Sequence, residues 1–230
     1  MFVGHYGIGL AARGATRRAS LGTWFLAVQF LDLLWPLFLL LGWEHVRLAP
    51  GITRLTPLDF YDYPISHSLG GALVWSALFA LVYGLWGARG AAGRWRTACL
   101  LGLGVLSHWF LDLLVHRPDL PLLPGGPYVG FGLWNAPGVE LPLEAALYLI
   151  GVFLYLRATR PLDAVGRHAT WLLLLALPAL WFAALAGPPP ADVRALAWTS
   201  LVLWLFVPWA YWCDRHRRPA GEPRRAQDLR

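Results

Sequence analysis

Six stretches of this sequence, roughly residues 20–42, 65–87, 96–116, 139–157, 168–187 and 194–212, are apolar and long enough to cross a lipid bilayer. A spanning helix needs about 20 apolar residues. In lipid an isolated run of this kind satisfies its backbone N–H and C=O groups by folding as a helix. The chain is therefore expected to be an all-α polytopic bundle of six transmembrane helices. Composition agrees: charged residues make up 14% of the 230 positions, against about 25% in soluble domains. No internal repeat interrupts the series. One membrane-embedded domain is expected over 1–213, with residues 158–213 as two scaffold helices. The Arg- and Pro-rich tail, 214–230, is expected to be disordered.

All 19 basic residues are arginine, and they lie between the apolar segments and in the tail. From the N-terminus, the seven non-spanning pieces with their adjoining helix ends hold 3, 2, 3, 1, 3, 1 and 6 arginines. Because basic loops stay cytoplasmic, this alternation predicts both termini inside and loops 43–64 and 117–138 outside. No helix face concentrates the positive charge, so nucleic acid is not an expected partner; the lipid bilayer is. Cys99 and Cys213 have no partner at metal-ligand spacing and read as small apolar residues.

Residues 1–14 are apolar but too short to span, and the basic cluster Arg13, Arg17, Arg18 follows. They predict a half-helix that begins inside the membrane and descends to the cytoplasm. The pair Arg17-Arg18 ahead of an apolar run resembles an export signal. The run exceeds a signal-peptide core of about 7–15 residues and carries Asp32 at its centre, so it reads as a retained span.

Polar residues within the apolar runs point to function. In LSHWFLDLLVHRPDL, His108, Asp112 and His116 are spaced by four, which places them on one helical stripe. An ionised Asp at a helix centre in lipid costs about 2.5–3.5 kcal/mol and persists when it finds partners inside the bundle. Asp32 sits mid-span, with Pro36 four residues on removing the N–H that would bond the Asp32 carbonyl, so a kink is expected there. His67 opens the second span. Glu140 and Glu144 open the fourth; Glu140 is expected to reach the surface and Glu144 to face inward. At about 1.5 Å per residue, Asp32, His67, His108, Asp112 and Glu144 fall at similar depth in the outer half of the bilayer, and His5 of the half-helix reaches Asp32. His and Asp are the ligand set of Zn²⁺ and similar divalent ions. One or more ions are expected on His5, Asp32, His67, His108 and Asp112. His116, at the helix end, is either a further ligand or interfacial. His45, His168 and His216 have no acidic companion at depth and are expected at the interface.

These elements, GH at 4–5, LDLLWP at 31–36, YPISHSL at 63–69, LSHWFLDLLVHRPDLPL at 106–122, and GLWN followed by Glu144, resemble a family of bacterial inner-membrane proteins described as metal-dependent hydrolases. One member of that family is associated with LexA binding. The resemblance covers about residues 1–157. Where family members often carry HRGxTHS, this chain has DYPISHS, so the roles of those additional groups do not carry over. A remoter similarity is to zinc-dependent phospholipase C. Its ligand order runs His, Asp, His, HxxxD, His, Glu, matched here in order but not in spacing by His5, Asp32, His67, His108 with Asp112, His116 and Glu144.

The resemblance implies metal-assisted hydrolysis, with Asp112 and Glu144 as catalytic residues, Asp112 as a ligand and Glu144 as general base or further ligand. Because the site is expected to open toward the outer leaflet, the expected substrate is a lipid-derived ester or phosphoester. Two other readings of the same residues stand beside it. One is a transporter that carries protons or metal ions; the other is a non-catalytic protein whose polar residues lock its helices.

Overall fold

A computed structural model describes residues 1–16, 18–87 and 93–221. Arg17, Arg89 and residues 222–230, all used in the charge pattern, lie outside them. The chain is an all-α bundle with three short two-stranded ribbons. Its elements run α1 (Val3–Ala15), α2 (Leu21–Val28), α3 (Phe30–Leu41), β1 (His45–Leu48), β2 (Leu58–Asp62), α4 (Pro64–His67), α5 (Leu69–Trp86) and α6 (Arg94–Val115). There follow β3 (Leu120–Pro121), β4 (Tyr128–Val129), α7 (Pro137–Ala158), β5 (Thr159–Pro161), α8 (Ala164–Ala186), α9 (Val193–Ser200), α10 (Leu203–Arg215) and β6 (Arg217–Pro219). Five helical segments are long and apolar enough to cross a membrane, and a sixth span results if the bent pair α2–α3 counts as one. The protein is thus a multi-pass membrane protein by length and composition.

Burial sorts the helices. Half of the most apolar window of α6 is buried, against 11% for α5. The helix carrying His108 and Asp112 is therefore central, while α5 turns its leucines and valines outward, as a lipid-facing helix does. The half-helix α1 lies against α7 with almost no side chain between them. A Cβ on Gly151 would come within 2.2 Å of the Gly7 carbonyl oxygen, and one on Gly7 within 2.5 Å of the Leu147 oxygen. Small residues at such a crossing let backbones approach in a medium where the hydrophobic effect does not drive helices together. At its other end α1 is tied down by Arg13, whose Nε donates to both oxygens of Asp214 on α10 at 3.1 Å. The backbone N–H of Leu21 donates to the same carboxylate at 3.2 Å. One buried ion pair thus joins α1, the start of α2 and the end of α10.

The first span bends, though not where Pro36 predicts. α2 and α3 meet at 55°, and the break falls at Gln29, whose φ −104° and ψ 6° leave the helical region. Pro36 is accommodated inside α3. At the break the Val28 carbonyl accepts a hydrogen bond from His108 Nδ1 at 2.8 Å. The helix is thus interrupted where a side chain from α6 takes one of its acceptors.

The tail also departs from expectation in its first part. α10 runs on to Arg215, and residues 217–219 pair with β5 in an antiparallel ribbon. Arg217 is buried and donates to Thr159 Oγ1 at 3.0 Å, the Gly166 carbonyl at 3.0 Å and the Thr159 carbonyl at 3.2 Å. A guanidinium with carbonyl acceptors already in place orders a segment that composition alone reads as solvated. Beside it His216 Nδ1 lies 2.6 Å from Asp163, and at the opposite end of the bundle His45 Nδ1 lies 2.7 Å from Asp62. Both pairs are solvent-exposed at the ends of the bundle, not at depth within it.

Candidate metal centre

His5, Asp32, His67, His108 and Asp112 converge from α1, α3, α4 and α6. Their ligand atoms form two groups, His5–Asp32–His108 and His67–His108–Asp112, each lying within 4.8 Å. His108 is common to both. The centre sits toward the end of the bundle that carries β1–β2 and the segment 116–136, since α4 follows β2 directly and His116 ends α6.

The hydrogen bonds fix how each imidazole is turned. A backbone carbonyl only accepts, so His108 Nδ1 carries the proton donated to Val28, and in the neutral ring Nε2 keeps its lone pair. That Nε2 is buried without a hydrogen-bond partner. It lies 3.2 Å from Asp112 Oδ2 and 3.6 Å from Asp32 Oδ1. His5 Nε2 lies 3.2 Å from Asp112 Oδ1, where it donates to the carboxylate, and His5 Nδ1 is buried without a partner. The His5 and His108 rings stack with centroids 3.7 Å apart and planes 1° from parallel. His67 turns Nε2 to Asp32 Oδ1 at 3.4 Å and to Asp112 Oδ2 at 3.8 Å. Imidazole nitrogens thus face carboxylate oxygens, and where the rings are neutral with Nε2 unprotonated these acceptors tolerate one another only around a positive charge. The α-amino group of Met1, 2.8 Å from Asp112 Oδ1, serves one side of Asp112. The side formed by Oδ2, Asp32 Oδ1 and the two Nε2 atoms has no such cation among the described residues.

The separations suit a metal. Bonds of about 2.0–2.1 Å in a tetrahedral zinc site put ligand atoms roughly 3.3 Å apart. The four imidazole-to-carboxylate distances, 3.2 to 3.8 Å, surround that value. Five of the six ligands expected from sequence are therefore brought together. His116 lies elsewhere: it is absent from both groups. Its Nδ1 engages Asp119 at 3.0 Å and the Tyr63 hydroxyl at 3.1 Å, and its ring packs 4.3 Å from that of Trp134. Asp119 in turn pairs with Arg117, which reaches Asp59 on β2 at 3.0 Å. This network fastens the 116–119 segment to the β1–β2 ribbon.

Glu144 is also outside both groups. Its Oε1 accepts the backbone N–H groups of Phe2 and of Gly4, the latter at 3.2 Å, so it holds the start of α1. A carboxylate is favoured there because a helix N-terminus presents unpaired donors and partial positive charge. Glu140 does not reach the surface: it is 1% exposed, with one oxygen lacking a partner. Both glutamates, with Asp32, line one end of a cavity of about 510 Å³. Its remaining wall is largely apolar, with Trp35, Leu180 and Leu203 among the residues that form it.

Two residues of the site carry no mark in the sequence. Glu44, just beyond α3, and Ser66, on α4, are both buried. Ser66 donates to Glu44 through its backbone N–H at 2.7 Å and its hydroxyl at 2.6 Å, and the same hydroxyl lies 2.7 Å from His67 Nδ1. Burial pushes the Glu44 carboxyl above its ordinary range, and the bond from the Ser66 hydroxyl works against that rise. The signal available in the sequence is only the Ser-His pair itself.

Compared with protein-family models, curated proteins and solved structures, the chain matches none.

Proposed function

We propose that this protein is a metal-dependent hydrolase of the bacterial inner membrane, acting on a lipid-derived ester or phosphoester. One observation carries the reading: imidazole nitrogens of His67 and His108 face Asp32 and Asp112 at 3.2 to 3.8 Å, with no ammonium or guanidinium group between them among the described residues. One nitrogen of His5 lies within 4.8 Å of the ligand atoms of Asp32 and His108. The donor set, nitrogen and carboxylate oxygen, fits Zn²⁺.

When bound, such an ion polarises the scissile group and lowers the pKa of water to about 7. The chain's own residues do the rest. Asp112 bridges the two halves of the centre, one oxygen toward Met1 and His5 and the other toward His67 and His108. Glu144 fixes the start of α1 and therefore the height of His5. Proton acceptance falls to the Glu140–Glu144 pair, of which Glu140 keeps an oxygen without a partner. The cavity leading from these acids between apolar walls suits a substrate with a hydrocarbon chain. On the other side of the centre the bundle is closed by Leu10, Phe25 and Leu101, each 0% exposed, which favours a one-sided site over a conduit.

Metal analysis of purified protein tests this. Wild type is expected to hold zinc in stoichiometric amount, and Asp112→Ala and His108→Ala to lose it. Metal-dependent turnover of ester and phosphoester substrates, run beside liposome uptake, separates hydrolysis from transport. A wild type free of metal after zinc-supplemented purification would overturn the hydrolase reading and leave the proton-carrying and helix-locking roles.

A further inference from the structure

We propose that Glu44, acting through the Ser66 hydroxyl, is the positioning residue that decides which nitrogen of His67 carries the ring proton, and so whether Nε2 offers a lone pair to the metal centre; this rests on the metal reading of that centre. The argument is a count of protons. The Glu44 carboxylate accepts on both oxygens, one from the Ser66 N–H at 2.7 Å and one from the Ser66 hydroxyl at 2.6 Å. A hydroxyl has a single proton to give. Spent on Glu44, it leaves Ser66 Oγ as an acceptor toward His67 Nδ1, 2.7 Å away. His67 must therefore carry its proton on Nδ1. In the neutral ring Nε2 is left with a lone pair, pointed at Asp32 and Asp112. His108 reaches the same state by a different route, with the Val28 carbonyl in place of the hydroxyl.

The three residues are held for this task. Glu44, Ser66 and His67 are 1%, 0% and 4% exposed, so water does not compete for these bonds. Glu44 is presented by a turn after α3, where Gly42 takes the left-handed conformation at φ 69°. Ser66 and His67 are neighbours on the single turn of α4. Carboxylate–hydroxyl–imidazole contacts of this kind orient metal ligands, and their loss typically weakens metal affinity about 10–100-fold.

The Glu44→Gln variant gives the decisive reversal. Its amide oxygen still accepts the Ser66 N–H, but its amide nitrogen donates to Ser66 Oγ. The hydroxyl proton then goes to His67 Nδ1, and the ring proton moves to Nε2, facing the carboxylates. Nitrogen-15 spectra of histidine-labelled protein are expected to show His67 protonated on Nδ1 in wild type and on Nε2 in E44Q. Zinc affinity is expected to fall about 10–100-fold in E44Q. In a Ser66→Ala background E44Q is expected to add no further loss, because the hydroxyl that transmits it is gone.

A wild-type His67 with no proton on Nδ1 would overturn the proposal, as would an equal loss from E44Q with and without the Ser66 hydroxyl. If E44Q does not accumulate as folded protein, Ser66→Ala decides. The Nδ1 preference is expected to disappear, and its persistence would refute the relay. Failure of wild type to take up zinc counts against the metal centre, and the ring-proton switch, read in zinc-free protein, still decides the role of Glu44.

Discussion

His108, Asp112 and His116 share one stripe of α6, yet the bundle uses them differently. His108 and Asp112 face the centre from a buried length of helix. At His116 the helix ends and the backbone turns extended, with φ −62° and ψ 145°, which carries the ring into the aromatic group of Tyr63, Phe60 and Trp134. A spacing of four guarantees a shared face only while the helix continues. His116→Ala is therefore expected to keep its full zinc content while losing the Tyr63 and Asp119 bonds, at a cost of about 1–3 kcal/mol for leaving buried partners unpaired. Metal analysis beside thermal unfolding in detergent checks both halves, and loss of zinc from this variant would return His116 to the ligand set. His5, Asp32, His67, His108 and Asp112 were legible in the sequence because an ionisable group in an apolar run has few explanations. Glu44 and Ser66 were not. A Glu just past a span end and a Ser at a helix start are ordinary there, and their meaning arises only when the turn at Gly42 brings one to the other.

At the scale of elements, the long apolar runs announced their helices, and the half-helix α1 was readable from its length and the arginines behind it. Its closeness to α7 was not, because Gly7 and Gly151 lie in different segments and neither alone signals a crossing. That contact positions His5: α1 enters the centre only because its backbone lies directly on that of α7. In Gly151→Val the first added carbon would meet the Gly7 carbonyl at 2.2 Å, and backbone, unlike the tip of a long side chain, has little room to yield. Overpacking of this kind costs about 1–3 kcal/mol or more. The variant is expected to unfold at lower temperature and to lose zinc together with stability, since α1 and His5 are displaced as a unit. Gly138→Ala, on the same helix but with open space around its Cβ position, is expected to change neither. A Gly151→Val protein with normal zinc content would show that the centre tolerates a displaced α1. The bend in the first span teaches a related point: Pro36 drew the expected kink to Asp32, but the break falls where His108 claims the Val28 carbonyl, a tertiary contact that no local pattern encodes.

Across the whole molecule the two ends of the bundle differ in kind. One carries β1–β2, the segment 116–136 and the acidic end of the cavity; the other carries the Arg13–Asp214 pair and the β5–β6 ribbon with buried Arg217. The arginine alternation in the sequence predicts that the second end is cytoplasmic, because basic segments are retained on that side. On that orientation the proposed metal centre would lie in the outer half of the bilayer, with its cavity toward the outer leaflet. Position of the site and source of the substrate are thus tied to one measurable property, the orientation. Tyr61 in β2, 45% exposed, and Arg160 in β5, also exposed, mark the two ends without touching the centre. With both native cysteines replaced by serine, Tyr61→Cys is expected to react with a membrane-impermeant maleimide on intact spheroplasts. Arg160→Cys is expected to react only after the membrane is opened. The opposite labelling would place the centre against the inner leaflet and make cytoplasmic lipids the substrates to test, while leaving the ligand geometry unchanged.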